Sequence, residues 1–435
     1  MDDLELKRQA LADFATYINP GKARILRSAG LDVLEWRRDG AMVSDVDGRR
    51  FVDCIGGMGS FAVGRHNPRI VAALKRAVDE QELDIGDFML MSKPKADLAR
   101  VLAELCPAGL NAVMYGTGGG EAVDFAIKLA RGVTLRPGVV STLGSYHGHT
   151  GFALSAIGRA QFREPFEPLM PHFTQVPFND IEAMRDAVGG SVGAILIEPI
   201  QGEGGIHVAT DTYLQGLRQL CDGQDRVLIF DEIQSGMGRT GRLWASQHSG
   251  VVPDIMTIGK SLSGGLYPIS ATVFRGEYLD FLRTHPFIHL STFGGSDVGC
   301  VVALEVFRVL EDEGLLENAS GRGEQLRAGF VRLHSIYPSL VTEVRGRGLM
   351  MALQYSEDQL GPRMARELAE RGVLAIMSGN EPSVMRVMPP LTITGEQVDT
   401  VLRAFEDAMA AILEKAAMRD ALAPAPTRRR PHRPS

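Results

Sequence analysis

The chain has 435 residues, 45% of them hydrophobic, so it can bury more than one core, and two domains are expected. Its net charge of −7 is small for this length and its basic residues are scattered, which excludes a basic face for nucleic acid or anionic lipid. The four cysteines are far apart and form no CxxC pair, so neither a metal site nor a disulfide framework is expected.

The sequence shows neither a targeting signal at its first residues nor a membrane span. The first residues do not combine a basic start with an apolar run, and no apolar run in the sequence is long enough to cross a bilayer. We therefore expect a cytoplasmic protein that does not contact membranes. Residues 421–435 alternate Ala and Pro and then continue with three arginines, a composition that predicts a disordered tail.

In chain order, the first predicted element is a hairpin at 41–54 around Asp47-Gly48. Short apolar runs and helix-length amphipathic segments then alternate through the middle of the chain. The predicted strands are 139–142, 194–197, 227–230 and 254–258, and the predicted helices are 121–131, 181–187 and 212–221.

These central strands are apolar throughout instead of alternating, which is typical of a sheet covered by helices on both faces. Residues 57–320 are therefore predicted to form a large α/β domain with a mostly parallel sheet. Beyond it, 340–354 reads as a strand pair, and 364–371 and 395–415 as helices. We expect a smaller α+β domain at 321–420, joined by the N-terminal segment 1–56.

In such a sheet, ligands bind beyond the carboxyl ends of the strands. After Tyr115 come Gly118, Gly119 and Gly120 and then a helix, an arrangement that suits a phosphate but also an ordinary turn. The strand at 139–142 ends without the acidic residue of a dinucleotide site. Asp254 occupies the position where a Walker A loop requires glycine.

Three further strand ends carry unusual residues. Asp231 directly follows an apolar run, where a carboxylate needs a cationic partner or a helix to cap. Lys260 stands among small residues, where it could lose its proton and act as a nucleophile, although most lysines are solvated. Tyr146 could stack on a ring and His147 could hydrogen-bond nearby, but core packing explains either one as well.

One ligand accounts for all four strand ends: a phosphorylated, planar aldehyde with a basic ring nitrogen, which is pyridoxal phosphate (PLP). The glycines would hold its phosphate. Asp231 would keep the ring nitrogen protonated, and Lys260 would form the Schiff base. Lys260 and Asp231 are the predicted catalytic residues.

The chain from about Gly40 to Ala411 resembles the class III (fold type I, subgroup II) PLP-dependent aminotransferases. Within that class, 54–67, 162–187 and 286–295 are most similar to putrescine (diamine) aminotransferases. The motifs that carry the resemblance are Asp231 to Gly241, Ile258-Gly259-Lys260, Glu198 to Gly205, Ser291 to Gly295 and Arg386 to Leu391.

The resemblance implies several further roles. Ile233 would lie against the cofactor ring and Gln234 near its phenolic oxygen. Thr292 would reach the phosphate of the neighbouring subunit's cofactor, which implies a homodimer with shared active sites. Arg386 would grip the carboxylate of 2-oxoglutarate or glutamate, and Glu203 would pair with Arg386 when the other substrate is bound.

The resemblance also places substrate beside the loop 56–61, with Met58, and beside the Phe88–Met89 region. The chain departs from the family at Gly118 to Gly120, where Ser-Gly-Thr is usual. This change removes hydroxyl contacts to the phosphate and predicts weaker cofactor binding.

The predicted activity is transfer of the amino group of a primary, terminal amine, such as a diamine or an ω-amino acid, to 2-oxoglutarate. The products would be an aldehyde or keto compound and glutamate. Three alternatives remain open from the sequence: a PLP-dependent racemase or epimerase of the same fold, an aminotransferase of a specialised pathway with another acceptor, and a protein that keeps the fold as a binding module.

Overall fold

The computed structural model describes residues 2–79, 89–379 and 381–422. The α-helices are α1 Asp3–Asp13, α2 Pro20–Ser28, α3 Pro68–Asp79, α4 Lys93–Leu105, α5 Gly119–Thr134, α6 Gly151–Ala156, α7 Ala160–Arg163, α8 Ile181–Ala187, α9 Asp211–Gln224, α10 Leu279–Thr284, α11 Asp297–Asp312, α12 Leu315–Ile336, α13 Leu360–Glu370 and α14 Gly395–Leu422.

The strands are β1 Glu35–Asp39, β2 Met42–Asp45, β3 Arg50–Asp53, β4 Leu110–Gly116, β5 Gly138–Thr142, β6 Phe173–Val176, β7 Val192–Ile197, β8 Ile200–Gln201, β9 His207–Val208, β10 Val227–Asp231, β11 Ile255–Ile258, β12 Ser270–Arg275, β13 Val341–Arg347, β14 Met350–Tyr355, β15 Val373–Leu374, β16 Ile376–Met377 and β17 Val384–Val387.

Within the described residues, the largest sheet has seven strands in the order β4-β12-β11-β10-β7-β5-β6. The pairs from β11 to β6 are parallel, whereas β12 runs antiparallel to both β11 and β4. Reversal at β12 on both sides means that β4 points the same way as the parallel strands. The carboxyl ends of β4, β5, β7, β10 and β11 therefore meet at one edge.

Both faces of this sheet are buried, as the unalternating strands predicted. Along β10, Ile229 packs into the cluster formed with α5, while Leu228 and Phe230 pack into the cluster formed with α8 and α9. All three side chains are fully buried. A strand whose two faces both meet helices must be apolar at every position, which explains the absence of alternation.

The predicted central strands and helices are confirmed, with bounds that differ by a few residues. The antiparallel strand β12 was not predicted, nor were α11 and α12. β12 lies between β4 and β11 and buries residues on both faces. Its apolar pattern is therefore the same as that of its parallel neighbours. Whether a strand runs parallel or antiparallel to its neighbours depends on the path of the chain, and local composition does not record that path.

Segments from the N-terminal and C-terminal parts of the chain pair with each other in a separate, smaller sheet. The predicted hairpin is β2 with β3, and β3 pairs in parallel with β15, so N-terminal and C-terminal segments share a sheet. A second sheet, in the order β13-β14-β17-β16, contains the predicted strand pair. These pairings support the proposed division of the chain, in which 1–56 joins 321–420.

Some predictions fall outside the described residues: most of the tail 421–435, and Phe88. No helix in the described part of the chain is both long and apolar enough to span a bilayer.

A test of this packing uses α12. The Phe330 ring is fully buried and lies 5.0 Å from the Phe405 ring of α14, measured between centroids. Phe330→Ala should destabilise the fold by about 3–5 kcal/mol, because it removes buried surface and leaves a cavity. Val331→Ala, at a 45% exposed position on the same helix, is the control. Thermal unfolding should show a clearly lower midpoint for Phe330→Ala only, and equal midpoints would contradict this packing.

Candidate active site

A cavity of about 200 Å³ lies at the edge where the parallel strands end. It brings together residues that the sequence placed at separate strand ends. The predicted residues that line it are Gly119, Gly120, Tyr146, His147, Glu203, Asp231, Ile233, Gln234 and Lys260. Gly118 lines an adjacent cavity that shares Gly119 and Lys260 with the first.

Asp231 ends β10 and is 5% exposed. His147 Nδ1 donates to its Oδ2 at 2.8 Å, and the Thr257 hydroxyl and the Ile233 N–H donate to its Oδ1 at 3.2 and 3.1 Å. These three hydrogen bonds fix the orientation of the carboxylate at the cavity wall. His147 Nε2 is buried without a partner among the described residues.

Lys260 follows β11 and is only partly exposed to the cavity. Burial lowers the pKa of its amine below the ordinary 10.5; Glu203 opposes this shift and Arg386 adds to it. Its φ of +42° lies in the left-handed region, which costs a non-glycine residue conformational energy and is found where surrounding structure fixes a functional side chain. The structure thus favours a neutral, nucleophilic amine at this position.

The glycine turn has the backbone arrangement expected of a phosphate site. Gly119 and Gly120 open α5, where helix N–H groups lack intrahelical partners. A Cβ at Gly119 would lie 2.9 Å from Ile233 Cδ1, and one at Gly120 would lie 2.8 Å from Thr150 Oγ1. A Cβ at Gly118 would meet nothing within 4 Å. The backbone is therefore bare toward the cavity, and side chains at Gly119 and Gly120 would crowd its wall.

Gln234 connects the cofactor residues with the loop 56–61. Its Nε2 donates to the Met58 carbonyl at 2.9 Å, while its Oε1 is buried without a partner among the described residues. Met58 has a φ of +59°, and three glycines around it also have positive φ. This strained turn places the Met58 side chain against Arg386. With Asp231 and the glycine turn, these polar groups fit a phosphorylated ring such as PLP.

Arg386 and Glu203 form an ion pair at the cavity. Arg386 Nη1 donates to Glu203 Oε1 at 2.5 Å, and Arg386 Nη2 contacts the Met58 sulfur at 3.5 Å. Arg386 is 2% exposed, whereas its local sequence predicts a surface residue. Burial raises the pKa of Glu203, but Arg386 and Lys260 outweigh it, so the net pKa is lowered and the pair is ionised.

Sequence reasoning did not single out Glu198, which follows β7 and lines the same cavity. Its Oε1 accepts the Tyr146 N–H at 2.8 Å and its Oε2 accepts the Gly202 N–H at 3.0 Å. Burial raises the pKa of Glu198 to about 7. The sequence did contain a signal for this residue, because Glu198 follows an all-apolar run just as Asp231 does.

Thr292 and Met89 are exposed on the single chain. Thr292 lies in the loop after α10, which also exposes Phe287, Leu290 and Phe293 at 52–67%. Neither residue lines the cavity of its own chain as the structure describes it. An exposed apolar loop of this kind is typical of a surface that meets another protein.

Three comparisons place this arrangement among known proteins. The profile of the family described as "Aminotransferase class-III" matches residues 28–409. An uncharacterized aminotransferase of Archaeoglobus fulgidus is 42% identical over 403 residues, covering 93% of this chain and 94% of that protein.

Two solved structures are similar over nearly the whole chain. The ornithine aminotransferase from Toxoplasma gondii, with partial occupancy of PLP at the active site, has a TM-score of 0.86 and 32% identity, covering 96% of this chain and 99% of that one. A thermostable (S)-enantioselective omega-transaminase from Thermomicrobium roseum has a TM-score of 0.86 and 28% identity, covering 95% and 99%.

Lys260 gives the most direct test of the cavity. Lys260→Ala should abolish turnover and the visible absorbance of the lysine-linked cofactor while cofactor still binds through its phosphate. Lys75→Ala, on the exposed face of α3, should change neither.

A second test of Lys260 uses the lowered pKa of its amine. Only the neutral amine attacks an aldehyde, so the rate at which the apoenzyme gains the absorbance should rise with pH through a midpoint below 10.5. A midpoint at or above the ordinary lysine value, or full activity of Lys260→Ala, would contradict the assignment.

Proposed function

Because this chain belongs to the class III aminotransferases, which have fold type I and use PLP, we propose that it transfers the amino group of a terminal primary amine to 2-oxoglutarate. The donor class is a diamine or an ω-amino acid, and the products are an aldehyde or keto compound and glutamate. The observation that carries the proposal is the Glu203–Arg386 pair beside Lys260.

The pair suits two substrates that differ in charge. With Glu203 in place, Arg386 is neutralised, and an amine that lacks a carboxylate can occupy the cavity without leaving a buried charge unpaired. When Glu203 moves away, the planar guanidinium can hold a carboxylate through two parallel hydrogen bonds. One site would then serve the amine in one half-reaction and 2-oxoglutarate in the other.

The terminal position of the amine is supported by two findings. The Met58 thioether lies against Arg386, so an apolar surface that suits a methylene chain adjoins the Glu203–Arg386 pair. The similar solved structures are an ornithine aminotransferase and an omega-transaminase, and ornithine carries a terminal amino group. A preference for diamines such as putrescine is the narrower part of the proposal.

Bound PLP supplies an aldehyde that takes up the amine and a ring that accepts electrons when a proton leaves the substrate carbon. Lys260 would take that proton on its neutral Nζ and return it. Asp231, positioned by its hydrogen bond with His147, would face the ring nitrogen and keep it protonated. Tyr146 and Ile233 would sandwich the ring, with Gln234 at its phenolic oxygen and Gly118 to Gly120 around the phosphate.

We further propose that the enzyme is a homodimer with shared active sites. Thr292 is exposed on its own chain, and the loop around it exposes large apolar side chains. A second copy covering this loop would bury that surface and bring Thr292 to the partner's cofactor phosphate.

The proposal is tested with a panel of diamines, ω-amino acids and α-amino acids, each offered with 2-oxoglutarate or pyruvate. We expect glutamate to form fastest with terminal amines and 2-oxoglutarate, as measured by amino-acid analysis. Faster alanine formation from pyruvate would overturn 2-oxoglutarate as the preferred acceptor. Loss of substrate chirality without glutamate would indicate a racemase instead.

Arg386→Lys keeps the charge but loses the planar pair of donors. We expect the KM for 2-oxoglutarate to rise roughly ten- to hundredfold, on the scale of a lost charged hydrogen bond. The KM for a diamine should change much less, because a diamine offers no carboxylate to the guanidinium. Arg403→Lys, at an exposed position of α14, is the control. Equal rises in both KM values would show that Arg386 serves both substrates or only the structure of the site.

A further inference from the structure

Glu203 lies at the tip of a short hairpin. Strands β8 and β9 pair antiparallel, and residues 202–206 connect them. Three of these five tip residues are glycines, and glycine loses more conformational freedom on ordering than any other residue. Contacts from elsewhere in the chain are therefore needed to hold the Glu203 carboxylate in one position beside Arg386.

Glu198 ties the tip to the segment that carries Tyr146. One of its carboxylate oxygens accepts the Gly202 N–H at 3.0 Å, and the other accepts the Tyr146 N–H at 2.8 Å. The two segments also touch directly, since a Cβ at Gly204 would lie 2.7 Å from the Gly144 carbonyl oxygen. Glu198 is buried, where an N–H that loses its acceptor is costly. This one side chain therefore sets the spacing between the two segments.

Two further side chains hold the same tip from the smaller part of the chain. The Ser378 hydroxyl donates to the Glu203 carbonyl at 2.5 Å, and Arg345 Nε donates to the Gly205 carbonyl at 2.7 Å. A Cβ at Gly379 would lie 3.3 Å from Glu203 Oε2, so the segment after β16 runs along the Glu203 side chain. The tip backbone is thus held before, at and after Glu203.

The position of the tip matters because Glu203 and a substrate carboxylate would bind the same cation. Glu203 Oε1 accepts from Arg386 Nη1 at 2.5 Å, so a carboxylate that binds this guanidinium has to displace that oxygen. A tip fixed next to the guanidinium keeps the effective concentration of the Glu203 carboxylate high, and a looser tip would lower it. The contacts that fix the tip therefore affect the two kinds of substrate in opposite directions.

We propose that Glu198 and Ser378 are positioning residues that hold the Glu203 tip beside Arg386, and so determine how strongly Glu203 competes with a substrate carboxylate. This inference rests on one part of the proposed function, namely that Arg386 receives the carboxylate of the acceptor. It deepens that function, because the balance between substrates with and without a carboxylate then depends on two residues that act through Glu203.

The first experiment measures the binding of glutarate to the holoenzyme by calorimetry. Glutarate has the two carboxylates of 2-oxoglutarate but no keto group, so it can occupy the site without turnover. Glu198→Gln keeps the shape of the side chain but replaces one acceptor oxygen with a donor, so one of the two N–H groups loses its acceptor. Ser378→Ala removes the bond to the Glu203 carbonyl. Each variant should bind glutarate roughly three- to tenfold more tightly, the scale of one hydrogen bond.

A cycle of variants separates positioning from a general structural role. Glu203→Gln removes the competing charge, so it should also tighten glutarate binding. Adding Glu198→Gln to Glu203→Gln should then change the affinity by less than about twofold, because the tip no longer carries a competing anion. A role confined to the overall structure of the site would instead give the same change in both backgrounds, and that result would overturn the proposal.

The diamine should respond in the opposite direction. Its KM should rise roughly three- to tenfold in Glu198→Gln and in Ser378→Ala, because Glu203 then neutralises the guanidinium less fully. Glu324→Gln and Ser335→Ala make the same chemical changes at exposed positions of α12 and should alter neither constant. Weaker binding of both glutarate and the diamine would show a distorted site and would contradict the positioning role.

The outcomes keep this inference apart from the proposed function. If glutarate binding weakens in Arg386→Lys but is unchanged in Glu198→Gln and Ser378→Ala, the positioning role alone is wrong. If glutarate binding does not depend on Arg386, the assignment of Arg386 is wrong and the positioning role fails with it. A protein that shows the expected glutarate affinities but forms no glutamate would refute transamination only. Ser378→Ala keeps the test available if Glu198→Gln fails to fold.

Discussion

One buried carboxylate ties the active site together. Asp231 ends β10, and its oxygens receive donors from Thr257 of β11 and from His147, which follows β5. A carboxylate without such donors could not remain buried at 5% exposure. The three strand ends are therefore held in register by the same group that is proposed to face the cofactor nitrogen, and the rest of the cavity is built around that register.

The charges of the cavity are arranged so that few are left unpaired. Glu203 is neutralised by Arg386, and Asp231 is surrounded by donors. Within the described part of the chain, Glu198 and Lys260 form no ion pair, and burial shifts both toward their neutral forms: the pKa of Glu198 rises to about 7 and that of Lys260 falls. The desolvation that lowers the pKa of Lys260 thus also limits the net charge of the site.

Backbone constraint fixes the geometry of the site, just as burial shifts its ionisable groups toward their neutral forms. Lys260 and Met58 both hold positive φ, and Gly119 and Gly120 lie where a side chain would press on Ile233 or Thr150. Strain and close packing of this kind persist only when surrounding contacts over-determine the conformation. Contacts within the protein therefore fix the backbone at Lys260, at the glycine turn and at Met58.

The sequence by itself determined the buried strands, the glycine turn, and the positions of Asp231 and Lys260, because strand periodicity and the residue after each strand are local properties. The roles expected of Arg386, Glu203 and Thr292 came only from the resemblance to the aminotransferase family. Only the tertiary structure decided that Arg386 is 2% exposed and pairs with Glu203 across 183 positions, that Met58 touches both Arg386 and Gln234, and that β12 runs antiparallel. Those facts depend on burial and on contacts between distant segments, which no local pattern records.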